Sequence, residues 1–249
     1  MVIMGIDVGG SGIKGVPVNT ETGEFVGDRF RLATPEGAKP DDVADTITTL
    51  VEHFNWDGPI GVGFPAVVRN GIVYTAANIH ESWIGTNIEK LLLNKTGCPA
   101  YVLNDADAAG MAEMKFGVGR KHPKGVVFMV TIGTGLGTAL FVDGKLLPNT
   151  ELGHIEIRGK DAETRATDAA RQRKNMSWEE WGGKFNEYLD RLERLFWPDL
   201  FVLGGGTSKS FDKFQPYLHL QTEVIPAELL NQAGIVGAAL YAGLKSGTE

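Results

Sequence analysis

Cysteine is all but missing from this chain of 249 residues, where Cys98 stands alone. A single thiol excludes an intrachain disulfide and any zinc site built from several cysteines. Long apolar runs are missing too. None approaches the roughly 18 residues of a membrane span, and the opening Met1-Val2-Ile3-Met4 has no basic stretch ahead of an apolar one. Positive charge is short, with 24 Lys and Arg against 31 Asp and Glu and a net charge of −7, which argues against general nucleic-acid binding. No H-E-x-x-H and no G-x-x-x-x-G-K-[ST] occurs, so zinc catalysis of the first kind is unsupported and a Walker A loop is excluded. These absences lead to the expectation of a soluble, cytoplasmic protein with no nucleic-acid or membrane partner.

What is abundant is glycine, 33 residues gathered at particular points and not in low-complexity tracts. The 43% hydrophobic content suffices for one large core or two moderate ones. The first glycine cluster is GIDVGGSGIKG at 5–15. Gly10, Gly12 and Gly15 satisfy G-x-G-x-x-G, the pattern of a dinucleotide-binding turn, but that turn must open a helix. Pro17 would fall in the first turns of that helix, at a cost of about 3 kcal/mol. The spacing predicts strands over 2–8 and 13–18 joined by a glycine hairpin. A weaker strand follows near 25–33, a helix over 44–54, and a strand over 60–64 ended by Pro65. Next come a hairpin over 67–74 around Arg69-Asn70-Gly71, a helix over 87–95 stopped by Gly97, a strand over 100–103 and a helix over 105–116.

The pattern then restarts. A strand at 126–132, the turn Gly133-Thr134-Gly135 and a strand at 136–142 repeat the opening unit. A mostly helical stretch at 161–196, a strand at 201–203 running into Gly204-Gly205-Gly206, and a helix at 234–245 complete it. The repetition predicts two related α/β lobes, 1–120 and 121–249, parted near Gly117–Gly125, with the last helix able to pack back on the first lobe.

Two glycine hairpins make physical sense as phosphate cradles. Residues without Cβ let backbone N–H groups approach anionic oxygens, and Ser11, Thr131 and Thr134 add hydroxyl donors. Lys14 brings a positive charge, and Asp7 can hold Mg²⁺ directly or through water. Ordinary tight turns are the alternative. Asn104 and Asp105 stand where a strand gives way to a helix, at a sheet's carboxyl end, where ligands bind in α/β proteins. Asp105 there can accept a hydroxyl proton in phosphoryl transfer; a helix N-cap is the alternative role, and the two can coexist, with Asn104 or Asp107 capping while Asp105 faces a ligand. Glu151 and His154 in ELGH can bind sugar hydroxyls or a metal, or simply bond to one another.

Taken in order, GIDVGGSGIKG, GVGFPAVVRNG, LNDADAAGMAE, VTIGTGLGTALFVDG, ELGH and VLGGG resemble the sugar kinases of the ROK family over nearly the whole chain. The resemblance implies an actin-like, hexokinase-type two-lobed fold with a sugar cleft between the lobes. It implies that Asp105 is the catalytic base taking the proton of a sugar 6-hydroxyl, and that Asn104, Glu151 and His154 hold sugar hydroxyls. Gly63, Phe64, Pro65 and Asn78 would wall the sugar pocket. Asp7, Gly9, Gly10, Ser11, Gly12 and Lys14 would form the first phosphate and Mg²⁺ element. Thr131, Gly133, Thr134 and Gly135 would form the second, and Gly204 and Gly205 would lie near a nucleotide's adenosine.

One departure stands out. The stretch after His154, IEIRGKDAETRATDAARQRK, lacks the family's C-x-C-G-x-x-G-C motif, so no structural zinc is expected. The sugar-binding glutamate beyond that motif has two candidates, Glu156 and Glu163, with neither assigned. The repressor branch is disfavoured because no DNA-reading helix-turn-helix precedes Met1. The zinc-free form with ELGHIEI and GGGTSKS is similar to the polyphosphate-using glucokinases, some of which accept ATP or mannose. Residues 114–142 hold no acidic side chain. Lys115, Arg120, Lys121 and Lys124 there, with Lys209 and Lys213 further on, offer a track for a polyphosphate, or form a solvated basic surface. The expected protein is thus a homodimeric phosphotransferase acting on glucose, with Mg²⁺ and polyphosphate or ATP. A strictly ATP-dependent hexose kinase and a catalytically idle sugar sensor are the alternatives.

Overall fold

A computed structural model describes residues 1–77 and 79–247. The chain forms two compact units. The first comprises residues 1–112 together with the segment from Gln232 onward, and the second comprises Glu113–Asn231.

In the first unit, β1 (Val2–Gly9) and β2 (Gly12–Asn19) form an antiparallel hairpin whose register closes at Gly9 opposite Gly12, leaving Gly10 and Ser11 as the turn. The third strand is shorter than the spacing suggests. β3 covers only Phe30–Leu32, and Phe25 makes no more than an isolated bridge to Val18; Gly23 and Gly27, both at positive φ, break the extended run. The first helix starts earlier than expected. α1 spans Pro40–His53, with Pro40 in the first turn, where its missing N–H costs nothing, and with Asp41 and Asp42 beside the positive helix end. β4 (Ile60–Phe64), the β5 (Val68–Arg69) and β6 (Ile72–Val73) hairpin, α2 (Ile88–Thr96), β7 (Ala100–Asn104) and α3 (Asp105–Lys115) follow. Asn87 caps α2 through the Lys90 amide, and Gly97 ends it in the left-handed conformation.

The sheet order is β3-β2-β1-β4-β7, with β4 and β7 parallel to β1. α1 and α2 bury Val43, Ile47, Leu50 and Leu92 with Met4, Ile6 and Val62 of the sheet. The closing helix, Ala233–Lys245, packs on β1, β4 and β7. Its approach requires glycine in the sheet: a Cβ on Gly61 would overlap the Ala238 carbonyl.

The second unit repeats the plan. β8 (Val126–Ile132), β9 (Leu136–Val142) and β10 (Lys145–Leu147) are antiparallel. The small hairpin of β11 (Glu156–Ile157) and β12 (Lys160–Asp161) leads into α4 (Glu163–Ala166), α5 (Asp168–Arg173) and α6 (Trp178–Phe196). α6 opens with a capping box between Ser177 and Glu180. β13 (Leu200–Gly204) and β14 (Glu223–Pro226) join parallel to β8, with α7 (Phe211–Phe214) between them, in the order β10-β9-β8-β13-β14. The core of this unit centres on Trp181, Phe185, Tyr188, Phe201 and Phe214. The expected pair of related α/β lobes, each headed by a glycine hairpin, is present. Among the described residues no helix is long and apolar enough to cross a membrane.

Candidate active site

Strand register decides which side chains share an edge. In the first unit Asp7 pairs with Gly63, Gly63 with Leu103, and Phe64 with Asn104. Because β1, β4 and β7 run parallel, Asp7, Gly63, Phe64 and Asn104 all lie at the carboxyl edge of one sheet, and Asp105 opens α3 from that edge. Asn104 is buried, and its side-chain oxygen accepts from the amides of Ala106 at 2.8 Å and Asp107 at 3.1 Å. It therefore caps the helix, and its Nδ2 donates to the Ala66 carbonyl at 3.4 Å. Asp105 is half-buried, with Oδ1 2.8 Å from the Ala106 amide. Phe64 is fully buried against Trp83, so only its backbone is left for a pocket wall. Asn78 lies outside the described residues.

The first glycine turn is exposed and braced. Arg31 donates to the Ser11 carbonyl at 2.6 Å, and Thr34 donates to the Gly9 carbonyl at 2.5 Å. Both braces escaped the sequence reading, since they lie 20 and 25 residues from their partners. Across the hairpin Lys14 lies opposite Asp7, with Nζ 3.3 Å from Oδ2. One carboxylate beside an open glycine turn suits Mg²⁺, which keeps most of its waters and takes few protein ligands.

In the second unit Thr131 pairs with Gly204, so the second glycine turn and Gly204-Gly205-Gly206 also share a carboxyl edge. Gly205 adopts φ 78° and a Cβ there would collide with the Ile132 backbone. A cavity of about 370 Å³ opens beside them, lined by Gly133, Thr134, Arg171, Trp178, Gly206 and Ser210 among others. The Asp168 carboxylate accepts from Arg171 at 2.8 Å and from Gln172 at 2.6 Å. The Arg171 guanidinium lies 4.1 Å over the Trp178 ring. Asp168, Arg171 and Trp178 were not singled out in the sequence; the i, i+3, i+4 spacing of Asp168, Arg171 and Gln172 was the available signal.

Glu151 and His154 bracket a short helical turn, Leu152–His154, pressed so closely on β9 that a Cβ on Gly153 would overlap the Leu136 carbonyl. Burial raises the Glu151 carboxyl above its ordinary 4.5, opposed by His154 and assisted by Glu163. Burial pulls the His154 imidazole down, but its hydrogen bond to Asp161 and the charges of Glu163, Asp161 and Glu151 outweigh that, leaving it above 6.5. Of the two candidate glutamates, Glu156 is exposed on β11, whereas Glu163 is half-buried and accepts the Leu136 amide at 2.6 Å.

Lys115, Lys121, Lys124 and Lys209 are exposed, as is Arg120. The fold returns an acid to this basic stretch: Glu228 lies 4.0 Å from Arg120. Among the described residues no group of three or more His, Cys, Asp or Glu is placed to hold a metal ion.

Known proteins resemble this chain over most of its length. A profile described as the ROK family matches residues 3–168. The polyphosphate glucokinase of Mycobacterium tuberculosis is 48% identical over 237 residues, 95% of this chain and 89% of that protein. The crystal structure of an inorganic polyphosphate/ATP-glucomannokinase from Arthrobacter sp. strain KM superposes with a TM-score of 0.94 at 45% identity, covering 98% of this chain and 99% of that one. A ROK family glucokinase from Streptomyces griseus, in complex with glucose and AMPPNP, gives a TM-score of 0.84 over 98% of this chain and 100% of that one, its 24% identity showing the shared fold alone.

Proposed function

The chain belongs to the ROK family, and from that premise we propose that it is a phosphotransferase moving a phosphoryl group from polyphosphate, and also from ATP, to the 6-hydroxyl of glucose. The observation that carries this reading is the register that brings Asp7, Gly63, Asn104 and the start of α3 to one sheet edge. There Asp105 takes the proton of the attacking hydroxyl as the new O–P bond forms and the donor's terminal phosphoanhydride P–O bond breaks, the shortened polyphosphate or ADP departing as the leaving group. Asn104 positions it, capping α3 while its Nδ2 keeps a second N–H for a sugar oxygen. In the second unit Glu151, His154 and Glu163 receive sugar hydroxyls, and Glu163 is favoured over Glu156 because it is half-buried beside the glycine turn.

In the first unit the amides of Gly9, Gly10 and Gly12, the Ser11 hydroxyl and the charge of Lys14 serve as a cradle for donor phosphates, and in the second the amides of Gly133, Thr134 and Gly135 with the Thr131 hydroxyl do so. Asp7 would hold Mg²⁺, which supplies charge neutralisation on the phosphates when bound. The cavity beside Gly204–Gly206 has room for a nucleoside, which favours ATP as a second donor. Lys115, Arg120, Lys121, Lys124 and Lys209 guide the polymer. The name of the 45% identical relative supports mannose as a further acceptor. We place the enzyme in the cytoplasm as a homodimer, the latter testable by light scattering.

The deciding experiment is glucose 6-phosphate formation with Mg²⁺, comparing polyphosphate free of ATP with ATP free of polyphosphate. Turnover on polyphosphate is expected. Turnover on ATP alone would leave the kinase and remove the polymer track. Turnover on neither, with glucose still binding, would make the chain a sensor.

A further inference from the structure

The Glu151–His154 turn is tied to the second glycine turn by a continuous run of hydrogen bonds that the reading above does not use. Its central residue is Asp161. The β11–β12 hairpin reverses at Arg158 and Gly159, both at positive φ, and sets Asp161 opposite Glu156. One Asp161 oxygen lies 2.8 Å from Nδ1 of His154, and the other accepts the Glu163 amide at 2.8 Å. Glu163 in turn accepts the Leu136 amide at 2.6 Å, at the residue that follows Gly135. A carboxylate offers only acceptors, so Nδ1 must carry the proton in this bond. Nε2 then faces Glu151, whose Oε2 at 3.8 Å is beyond hydrogen-bond reach. A neutral imidazole held this way presents a lone pair at Nε2 to an incoming hydroxyl.

We propose that Asp161 is a positioning residue for hexose binding, fixing the Nδ1–H tautomer of His154 so that Nε2 accepts a sugar hydroxyl, and that through Glu163 the same residue holds the second glycine turn in register with the sugar ligands. The proposal rests on the reading of His154 as a hexose ligand. It explains a carboxylate whose two oxygens are committed in opposite directions, one to an imidazole and one to the backbone of α4. A helix cap alone would need only the second.

The test is a set of full-length variants assayed with glucose and ATP. Asp161→Asn keeps an oxygen for the Glu163 amide but turns an N–H₂ toward Nδ1, which reverses the tautomer. Asp161→Ser also keeps a capping oxygen, but its shorter side chain does not reach the imidazole. Both are expected to raise the glucose KM by roughly tenfold or more, to leave the ATP KM within about twofold on the same reasoning, and to melt near wild type. Imidazole ¹⁵N spectra, assigned by comparison with His154→Gln, should move the proton from Nδ1 to Nε2 in Asp161→Asn. His154→Gln should raise the glucose KM alone, and adding Asp161→Asn to it should do no further harm. Asp161→Asn with a wild-type glucose KM, beside an impaired His154→Gln, would overturn the proposal and leave Asp161 a cap. A wild-type glucose KM in His154→Gln would instead overturn the ligand reading beneath it. Unfolding of both Asp161 variants would assign the residue to structure and also overturn the proposal.

Discussion

Asp105 opens a helix at the end of a parallel strand, where the backbone turns and a short carboxylate projects from the sheet edge. Asp105→Ala is expected to cut turnover by about 10²–10⁴-fold while calorimetric glucose affinity falls less; near-normal turnover would remove it as the base. His154 gives a second outcome, with a definite sign. Its imidazole binds a proton more tightly in the fold than in the unfolded chain. The stability this supplies is complete below about pH 6.5 and is lost as pH rises through the elevated value. The thermal midpoint of wild type should therefore exceed that of His154→Gln most at the acid side, with the gap closing from about pH 6.5 upward. A gap that widens with pH would contradict it. Asn104 and Asp105 were legible because a strand-to-helix junction is a local pattern. Asp161 and Arg31 were not, because each acquires meaning only from a partner brought near by a hairpin or a sheet register; Glu163 was named beside Glu156, and only its bond to the Leu136 amide sets the two apart.

Elements were read well where periodicity was long and less well where it was short. The central strands and α2 follow from apolar runs with glycine, asparagine and proline at their ends. β3 was overdrawn because glycines interrupt it, and α1 was started late because its first turn, Pro40 to Asp42, carries no apolar residue to show the period. Two expectations belong to this level. Gly61→Ala should push the closing helix off the sheet at a cost of about 2–3 kcal/mol, read as a lower urea midpoint. Glu113, buried near the end of α3, accepts the amides of Val118, Glu228 and Leu229. Burial raises its carboxyl above the ordinary range in spite of those bonds. Glu113→Ala strands all of these donors and should cost about 3 kcal/mol, whereas Glu113→Gln, which still accepts, should cost less.

Across the whole chain, the repeated glycine hairpin foretold two units of the same topology, each with an antiparallel trio extended by two parallel strands. The surroundings of the proposed donor track were less accessible to sequence reading. A run without acids looked uniformly basic, yet Glu228 comes from more than a hundred residues away to meet Arg120. The exposed Lys121 and Lys124 carry the test. Replacing both by Ala should raise the KM for long polyphosphate several-fold and flatten its salt dependence over roughly 50–200 mM, with the ATP KM unchanged. An unaltered polyphosphate KM would make the patch plain surface.

The first unit is interrupted in sequence by the entire second unit, and its closing helix is made only after that insertion. During synthesis the second unit therefore has all its strands while the first still waits for the helix that covers β1, β4 and β7. A ribosome that stalls before Ala233 would release a chain with one finished half and one bare apolar sheet, the kind of surface that chaperones hold and proteases clear. The helix made last is thus the one that completes the sheet made first.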